Sequence, residues 1–204
     1  MVANRQRQVD KVGIEFELKF RATPEKLNAI RANVPGQEEI FTMETTYYDT
    51  QDNALSQHHY TLRRRMENQR SVCTLKTPAG DLGRGEFEVE CPDIATAIPI
   101  LCKLSGLADL PALTAVGVVP VCRARFTRIA KTIVLEDCTV ELALDQGILS
   151  GGNREIPLCE VEVELKSGSR EAACRYALLL AATYGLEQEK HSKFRRALAL
   201  YKGE

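Results

Sequence analysis

Residues 14–20 read Ile14-Glu15-Phe16-Glu17-Leu18-Lys19-Phe20 and alternate strictly between apolar and charged side chains. Successive side chains along a β-strand point to opposite faces, so this stretch predicts a strand with one apolar face and one charged face. Alternating or strand-like segments return through the rest of the chain. They are predicted at 39–48, 61–67, 71–77, 85–91, 121–129, 132–135, 138–149 and 156–166.

Four helices are predicted around these strands. Thr23 is a suitable N-cap before Pro24 for a helix that ends near residue 34, and Ser169 has the same role for a helix that ends before Gly185. The other two helices are predicted at 93–104 and 193–201. We therefore predict an α+β protein whose antiparallel sheet is large enough to curl or close.

The chain has 204 residues, with 27 Lys and Arg against 28 Asp and Glu and a formal net charge of -1. This length fits a single domain over 1–204, of which residues 1–11, a polar segment, are expected to be flexible. A charge this close to zero disfavours a protein that binds nucleic acid by bulk electrostatic attraction. We therefore predict no nucleic-acid partner.

The ends of the chain and its cysteines indicate the compartment. No signal peptide and no apolar stretch of membrane-spanning length is seen, so no membrane partner is predicted. The chain has seven cysteines, an odd number, and no two of them have C-x-x-C spacing. They are interpreted as small buried hydrophobic residues in a reducing environment, and a cytoplasmic localisation is predicted.

Charges of opposite sign dominate different strands. Carboxylates dominate the strands near both ends of the chain, and Arg and Lys dominate those between. One solvated face of an antiparallel sheet would also alternate in this way, but three like charges on one strand face repel one another. On a concave surface, carboxylates would hold Mg²⁺ or Mn²⁺ and the cations would hold a polyanion. These are the components of phosphoryl-transfer sites.

A series of short motifs follows the same strands. In chain order they are E-x-E-x-K at 15–19, T-Y-Y-D-T at 46–50, L-R-R-R at 62–65, T-L-K at 74–76, R-G-E-F-E at 84–88, E-L-A-L-D-Q-G at 141–147, E-V-E-V-E-L at 160–165 and S-K-F-R-R at 192–196. Together they resemble the CYTH superfamily, the triphosphate tunnel metalloenzymes, over about residues 12–201. Segments 144–147 and 158–160 are most similar to the bacterial inorganic triphosphatases.

The resemblance implies a closed eight-stranded antiparallel β-barrel, a tunnel with a charged lumen and with helices packed outside. Ile14, Phe16, Leu18, Val161, Val163 and Leu165 would then point outward under the helices. It also implies a triphosphate-containing substrate and Mg²⁺ or Mn²⁺ as cofactor. Relatives in this branch often carry a C-terminal helical CHAD domain, which we do not expect in these 204 residues, so a polyphosphate-granule role is unsupported. A homodimer is left open.

The resemblance assigns roles to the residues of its motifs. Catalytic roles go to Glu15, Glu17, Lys19 and Glu162. Metal binding goes to Glu15, Glu17, Asp145, Glu160, Glu162 and Glu164. Triphosphate binding goes to Lys19, Arg63, Arg65, Lys76, Arg84 and Lys193, and also to Arg123 and Arg125, which lie outside the motifs and share one face of their predicted strand. Secondary candidates are Glu88, Glu90, Glu141 and Arg196, whereas Arg128 is undecided because a bulge near Thr127 would reverse its side chain.

The predicted activity is that of a metal-dependent hydrolase, a triphosphatase that removes the terminal phosphate of inorganic triphosphate. Three alternatives stay open at this point: a class IV adenylate cyclase acting on ATP, a thiamine triphosphatase, and a polyphosphate-binding module without catalysis. The intact carboxylate set disfavours the last, since binding an anion does not require carboxylates.

Overall fold

A computed structural model of the chain describes residues 11–79 and 84–204, with the backbone alone for 11–14. The predicted flexibility of residues 1–11 lies outside the described residues, except that Lys11 begins the first strand. The helices are α1 (Pro24–Asn33), α2 (Ala54–Gln57), α3 (Ile94–Ser105), α4 (Leu110–Thr114), α5 (Arg170–Tyr184) and α6 (Lys193–Lys202). The strands are β1 (Lys11–Glu15), β2 (Glu17–Arg21), β3 (Glu38–Asp49), β4 (Thr61–Glu67), β5 (Arg70–Pro78), β6 (Arg84–Glu90), β7 (Val119–Val134), β8 (Cys138–Gly151), β9 (Arg154–Gly168) and β10 (Glu187–Gln188).

Capping residues begin the helices where the sequence indicates. The side chains of Thr23, Ser169 and Ser192 accept hydrogen bonds from backbone N–H groups in the first turns of α1, α5 and α6. Gly185 adopts the left-handed conformation that ends α5. These helix boundaries therefore follow from local chemistry.

The chain divides into two compact units, each built from two separate stretches of sequence. The first comprises Met1–Ile14 and Thr46–Pro120, and the second comprises Glu15–Thr45 and Val121–Glu204. Strand β3 passes from the second unit to the first. The single domain over 1–204 stays a prediction.

In the first unit, the strand order is β1, β6, β5, β4 and the last part of β3. The pairs β4–β5 and β5–β6 are antiparallel, and Arg63, Thr74 and Glu88 lie opposite one another across the three strands. The apolar core of this unit includes Leu75 and Leu101, and α3 contributes part of it.

In the second unit, the strand order is the first part of β3, then β7, β8, β9, β2 and β10. Strands β7 and β8 stay in unbroken antiparallel register from Cys122 opposite Gly151 to Val134 opposite Thr139. The segments predicted at 121–129 and 132–135 are therefore one strand.

The prediction of a closed eight-stranded barrel is wrong. Among the described residues, ten strands form one sheet that runs from β1 to β10, with no pairing between these two end strands. Two strands are added to the expected eight. The predicted strand at 14–20 is broken at Phe16 into β1 and β2, which pair with different neighbours, and β10 extends the edge of β2.

The apolar face of β2 and β9 is covered by α1 and α5. Phe16, Leu18, Val161, Val163 and Leu165 all belong to one hydrophobic core. The helices contribute buried residues to that core, among them Leu27, Ile30, Ala173, Ala177 and Leu180. The prediction that these strand residues face the helices is confirmed, whereas the side chain of Ile14 lies outside the described residues.

Helix α6 packs on the charged face of the same strands. Its Lys193 and Arg196 contact carboxylates of β9, and its backbone closely approaches Gly151 at the end of β8. A Cβ atom at residue 151 would lie 2.3 Å from the carbonyl oxygen of Ala197 and 2.6 Å from the backbone nitrogen of Tyr201. Glycine at this position is therefore required for α6 to dock.

We expect Gly151→Ala to lower the free energy of unfolding by about 2 kcal/mol or more, because the added methyl group meets backbone atoms that cannot move separately. Urea-induced unfolding measures the change. Ser150→Ala, one residue earlier, is the matched control and should stay within about 0.5 kcal/mol of the wild type. Equal unfolding midpoints for Gly151→Ala and the wild type would contradict the close packing of α6.

Candidate active site

Charged side chains of the second unit lie in rows that cross its strands. Glu17 of β2 is opposite Glu164 of β9, and Glu164 is opposite Glu141 of β8. Two residues before Glu164 on β9, Glu162 is opposite Lys19. Directly opposed residues of antiparallel strands point to the same face, with Cβ atoms about 5 Å apart. The register therefore places these groups side by side.

The next row contains two cations and two carboxylates, and its Arg128 and Asp145 form an ion pair. Arg21, Glu160, Asp145 and Arg128 lie opposite one another across β2, β9, β8 and β7. Helix α6 adds Lys193 and Arg196 from above this row. We name the six residues Asp145, Glu160, Glu162, Arg128, Lys193 and Arg196 the buried ion cluster.

Every carboxylate oxygen in the buried ion cluster contacts a cation. Both oxygens of Asp145 accept hydrogen bonds from Arg128, at 2.8 and 2.7 Å, and Oδ2 also lies 2.9 Å from Lys193 Nζ. Glu162 accepts a hydrogen bond from Lys193 Nζ at 2.7 Å and another from Arg128. Glu160 accepts from Lys193 and Arg196. Three carboxylates thus balance three cations.

Burial makes this balance necessary. Asp145 and Glu160 are 0% exposed and Glu162 is 8% exposed. An unpaired charge at such depth costs several kcal/mol, so each member of the cluster depends on its partners. The ring of Phe126 lies beneath two of the cations, 5.8 Å from the guanidinium carbon of Arg128 and 5.4 Å from Lys193 Nζ.

The two neighbouring glutamates titrate differently. Burial, reinforced by the negative charge of Glu162, raises the pKa of Glu160 to about 7. Burial acts in the same direction on Glu162, but Lys193 and Arg128 outweigh it and hold the pKa of Glu162 well below its usual range. Burial also opposes the charge of Lys193, yet the three carboxylates raise its pKa.

Glu17, Glu164 and Glu141 form a second group, which we name the carboxylate row. Their side chains are 21%, 17% and 27% exposed, so they lie nearer to solvent than the buried ion cluster. Lys19 Nζ donates to Glu17 at 2.8 Å, and Lys166 Nζ lies 2.9 Å from Glu164 and 3.4 Å from Glu141. Burial opposes the charge of Lys19, but Glu17 and Glu162 raise its pKa.

Both groups have the oxygen chemistry that Mg²⁺ and Mn²⁺ prefer. Ligand oxygens of Asp145, Glu160 and Glu162 lie within 4.8 Å of one another, close enough to hold an ion. All six of their oxygens already contact Arg or Lys, so a metal ion there would have to displace a cation. The carboxylate row fits better, since its glutamates are less buried and are adjacent across three strands. Glu15, at the end of β1, is half-buried like the three glutamates of the carboxylate row.

The arginines of β7 are divided between the two faces of the strand. With no shift in the register to β8, Arg125 and Arg128 point to opposite faces. Arg123 and Arg125 are exposed, and Arg125 lies 3.6 Å from Glu155, a residue that is itself exposed. The structure therefore does not bring Arg123 or Arg125 to the buried ion cluster or to the carboxylate row. Arg128, which the sequence left undecided, contacts Asp145 and Glu162 instead, and the register to β8 has no bulge at Thr127.

The first unit carries its own cluster of predicted residues. Lys76 Nζ lies 3.1 Å from Glu86 Oε1, and Arg63 Nη2 lies 3.7 Å from the same oxygen. Arg65 contacts Glu67 and lies 4.0 Å from Glu88. Two further predicted residues are nearer the ends of β6: Arg84 donates to Thr61 Oγ1 at 3.1 Å, and Glu90 pairs with Arg70 at 2.9 Å. The structure thus brings the predicted cations of β4 and β5 together.

Sequence reasoning missed Glu189 and Lys166 as members of the charged face. Glu189 follows the two-residue strand β10, which is too short to show alternation. Lys166 continues the alternation of β9 by one step beyond Glu164, so the period-2 pattern would have found it. Among the described residues, no helix is both long enough and apolar enough to span a membrane.

The family model described as the CYTH domain matches residues 13–198, which is most of the chain. The chain belongs to the CYTH domain family. This CYTH domain is also 31% identical over 167 residues to an inorganic triphosphatase of Haemophilus influenzae. The match covers 76% of this chain but 46% of that relative, so the chain spans about half the length of the curated protein.

Solved structures with low identity share the fold of this CYTH domain. A candidate adenylate cyclase of Bacillus halodurans has a TM-score of 0.66 at 20% identity, with 91% of this chain and 97% of that chain covered. A candidate adenylyl cyclase of Hippeastrum, which shows a dominant triphosphatase activity, has a TM-score of 0.61 at 19% identity, with 94% and 97% covered. At these identities, the likeness concerns the fold alone.

Proposed function

We propose that this CYTH domain is a divalent-metal-dependent triphosphatase that hydrolyses the terminal phosphoanhydride bond of inorganic triphosphate. One observation carries the proposal: the carboxylate row and the buried ion cluster lie beside each other on one charged face of β2, β8 and β9. Hydrolysis of a polyanion needs both oxygen ligands for a cation and fixed positive charges. The identity to an inorganic triphosphatase supports the choice of substrate.

Glu17, Glu164 and Glu141 would hold Mg²⁺ or Mn²⁺, with Glu15 as a further candidate. The bound ion supplies neutralisation of phosphate charge and activation of a water nucleophile. Lys19 and Lys193 would bind phosphate oxygens, because each places a positively charged amine beside the carboxylates of this face. We assign Glu162 and Asp145 to holding Lys193 and Arg128 rather than to binding the metal.

The cations of the first unit, Arg63, Arg65 and Lys76, remain proposed phosphate ligands, with Arg84 as a further candidate. The planar guanidinium of Arg can bind two phosphate oxygens at once, and the ammonium of Lys supplies a single positive charge. The homodimer and the cytoplasmic localisation stay predictions.

A panel of substrates tests the proposed function. The purified chain is offered tripolyphosphate, ATP and thiamine triphosphate with Mg²⁺ or Mn²⁺, and both phosphate and cyclic AMP are measured. We expect phosphate release from tripolyphosphate with a kcat/KM at least about tenfold above that for the other two substrates, which corresponds to about 1.4 kcal/mol of discrimination. Removal of the metal with EDTA should abolish the activity.

Each alternative gives a different result in this panel. Cyclic AMP formed faster than phosphate would identify a cyclase, and preferential hydrolysis of thiamine triphosphate would identify a thiamine triphosphatase. Binding of tripolyphosphate without turnover of any substrate would identify a module that binds polyphosphate.

A further inference from the structure

We infer that Glu189 is a positioning residue, which holds the start of α6 so that Lys193 and Arg196 reach the carboxylates of β8 and β9. The inference rests on the proposed function, since it assigns Lys193 to phosphate binding. Glu189 lies outside the recognised motifs and contacts neither the carboxylate row nor Lys193. It acts through other residues.

Glu189 is fixed to the edge of the sheet by its backbone. Glu187 and Gln188 pair with Arg21 and Phe20 of β2, and the backbone N–H of Glu189 then donates to the carbonyl of Lys19 at 2.8 Å. The residue therefore continues the β10 pairing by one position. Because side chains alternate along this edge, the Glu189 carboxylate points to the charged face, like Lys19.

The carboxylate of Glu189 joins three elements. Its Oε2 accepts a hydrogen bond from Arg21 Nε of β2 at 2.6 Å and lies 3.7 Å from Arg196 Nη1 of α6. Its Oε1 accepts from the backbone N–H of His191 at 2.8 Å, in the turn that leads to α6. The residue is 3% exposed, so these contacts form where water does not compete.

The pKa of Glu189 agrees with an ionised, bound carboxylate. Burial alone would raise it, but the hydrogen bonds from Arg21 and from the His191 backbone, with the charge of Arg196, lower it below its usual range. Glu189 is therefore negatively charged at neutral pH, and its charge complements the guanidinium groups on both sides.

Helix α6 transmits this constraint to the site. Ser192 caps the helix, and Lys193 and Arg196 lie three residues apart and so share one face of it. Lys193 contacts Asp145, Glu160 and Glu162, and Arg196 contacts Glu160. Glu189 thus holds the first turn of α6 from two sides. It binds the backbone of His191 before Lys193, and it contacts the guanidinium of Arg196 one turn after Lys193.

Glu189→Gln tests the inference, because the amide has the same shape but no charge. We expect KM for tripolyphosphate to rise about tenfold, with kcat within about twofold of the wild type, since misplacement of a positioned group weakens binding. Glu187→Gln is the matched control, two residues earlier on the same edge and exposed, and should leave both constants unchanged. Glu189→Asp keeps the charge that maintains the fold and should give an intermediate KM.

A purely structural role would give a different result. Loss of folded protein lowers kcat in proportion and leaves KM unchanged, so that pattern, or wild-type constants in Glu189→Gln, would overturn the inference. A double-mutant cycle adds a second criterion: in a Lys193→Gln background, Glu189→Gln should cause no further rise in KM. The same multiplicative rise in both backgrounds would show that Glu189 does not act through Lys193.

The failure of the inference is distinguishable from failure of the proposed function. If the wild-type chain binds tripolyphosphate but releases no phosphate, the proposed function fails. The same variants are then compared by calorimetry for the dissociation constant of tripolyphosphate, with an expected tenfold rise in Glu189→Gln alone. An unchanged dissociation constant would overturn the positioning role.

Discussion

Glu17→Gln is expected to lower the rate of tripolyphosphate hydrolysis by about 100-fold or more without disturbing the fold. Glu17 lies opposite Glu164 in the register of β2 and β9 and accepts a hydrogen bond from Lys19 Nζ at 2.8 Å. The amide can still accept that hydrogen bond, but it no longer carries the charge that attracts a divalent cation. Phosphate release over a series of Mg²⁺ concentrations should also show that half-activation needs more metal.

The matched control for this change is Glu155→Gln on β9. Glu155 is 55% exposed and pairs with Arg125 at 3.6 Å on the opposite face of the sheet. We expect its activity to stay within about twofold of the wild type, since exposed ion pairs contribute little. Full activity in Glu17→Gln, with an unchanged requirement for Mg²⁺, would remove Glu17 from the metal site.

Arg128→Met is expected to lower the free energy of unfolding by about 3–5 kcal/mol. Methionine replaces the apolar stem of the arginine but not its guanidinium, which binds both oxygens of Asp145 and contacts Glu162. Two buried carboxylates would lose one of their two cations and keep only Lys193. Urea-induced unfolding at neutral pH measures the loss.

Arg125→Met, three residues earlier on β7, is the control. Its side chain is 57% exposed, so we expect a change of at most about 1 kcal/mol. Comparable losses for the two variants would contradict the placement of Arg125 and Arg128 on opposite faces. Arg125→Met also tests the role assigned from the sequence: a large rise in KM would return Arg125 to the phosphate site.

The effect of Arg128→Met should depend on pH in a defined direction. Burial opposes ionisation of Glu162, but Lys193 and Arg128 hold its pKa well below the usual range in the wild type. A depressed pKa contributes stability above the ordinary pKa of glutamate, and this stability is lost as the pH falls through the folded-state value. The difference between Arg128→Met and the wild type should therefore be largest near neutral pH and shrink as Glu162 takes up a proton.

Much of the charged face was predictable because alternation along a strand is a local property. Glu160, Glu162 and Glu164 are on one face of β9 wherever that strand is placed, and the apolar residues between them must then be covered. The N-caps Thr23 and Ser169 are local in the same way, since each side chain bonds to the backbone only three residues ahead. The chemistry of the site, carboxylates beside cations, follows from these patterns.

The face that Arg128 occupies was not predictable, because it depends on whether the register between β7 and β8 is continuous. A single inserted residue between them would have placed Arg125 and Arg128 on the same face. The break at Phe16 is of the same kind: the sequence alternates without interruption from Ile14 to Phe20, yet β1 and β2 pair with different strands.

The sequence by itself determined which side chains share a face, where the main helices begin, and which groups are available for a cation and a polyanion. The tertiary structure decided which of these groups meet. It brought Lys193 and Arg196 of α6 onto the carboxylates of β8 and β9. It also placed Glu189 against Arg196 and the backbone of His191. The physical reason is the separation along the sequence of the residues that interact. Backbone geometry sets alternation and capping between residues only a few positions apart. Ion pairs between residues about 30 apart or more, as between Glu160 and Lys193, form only after strands and helix have packed.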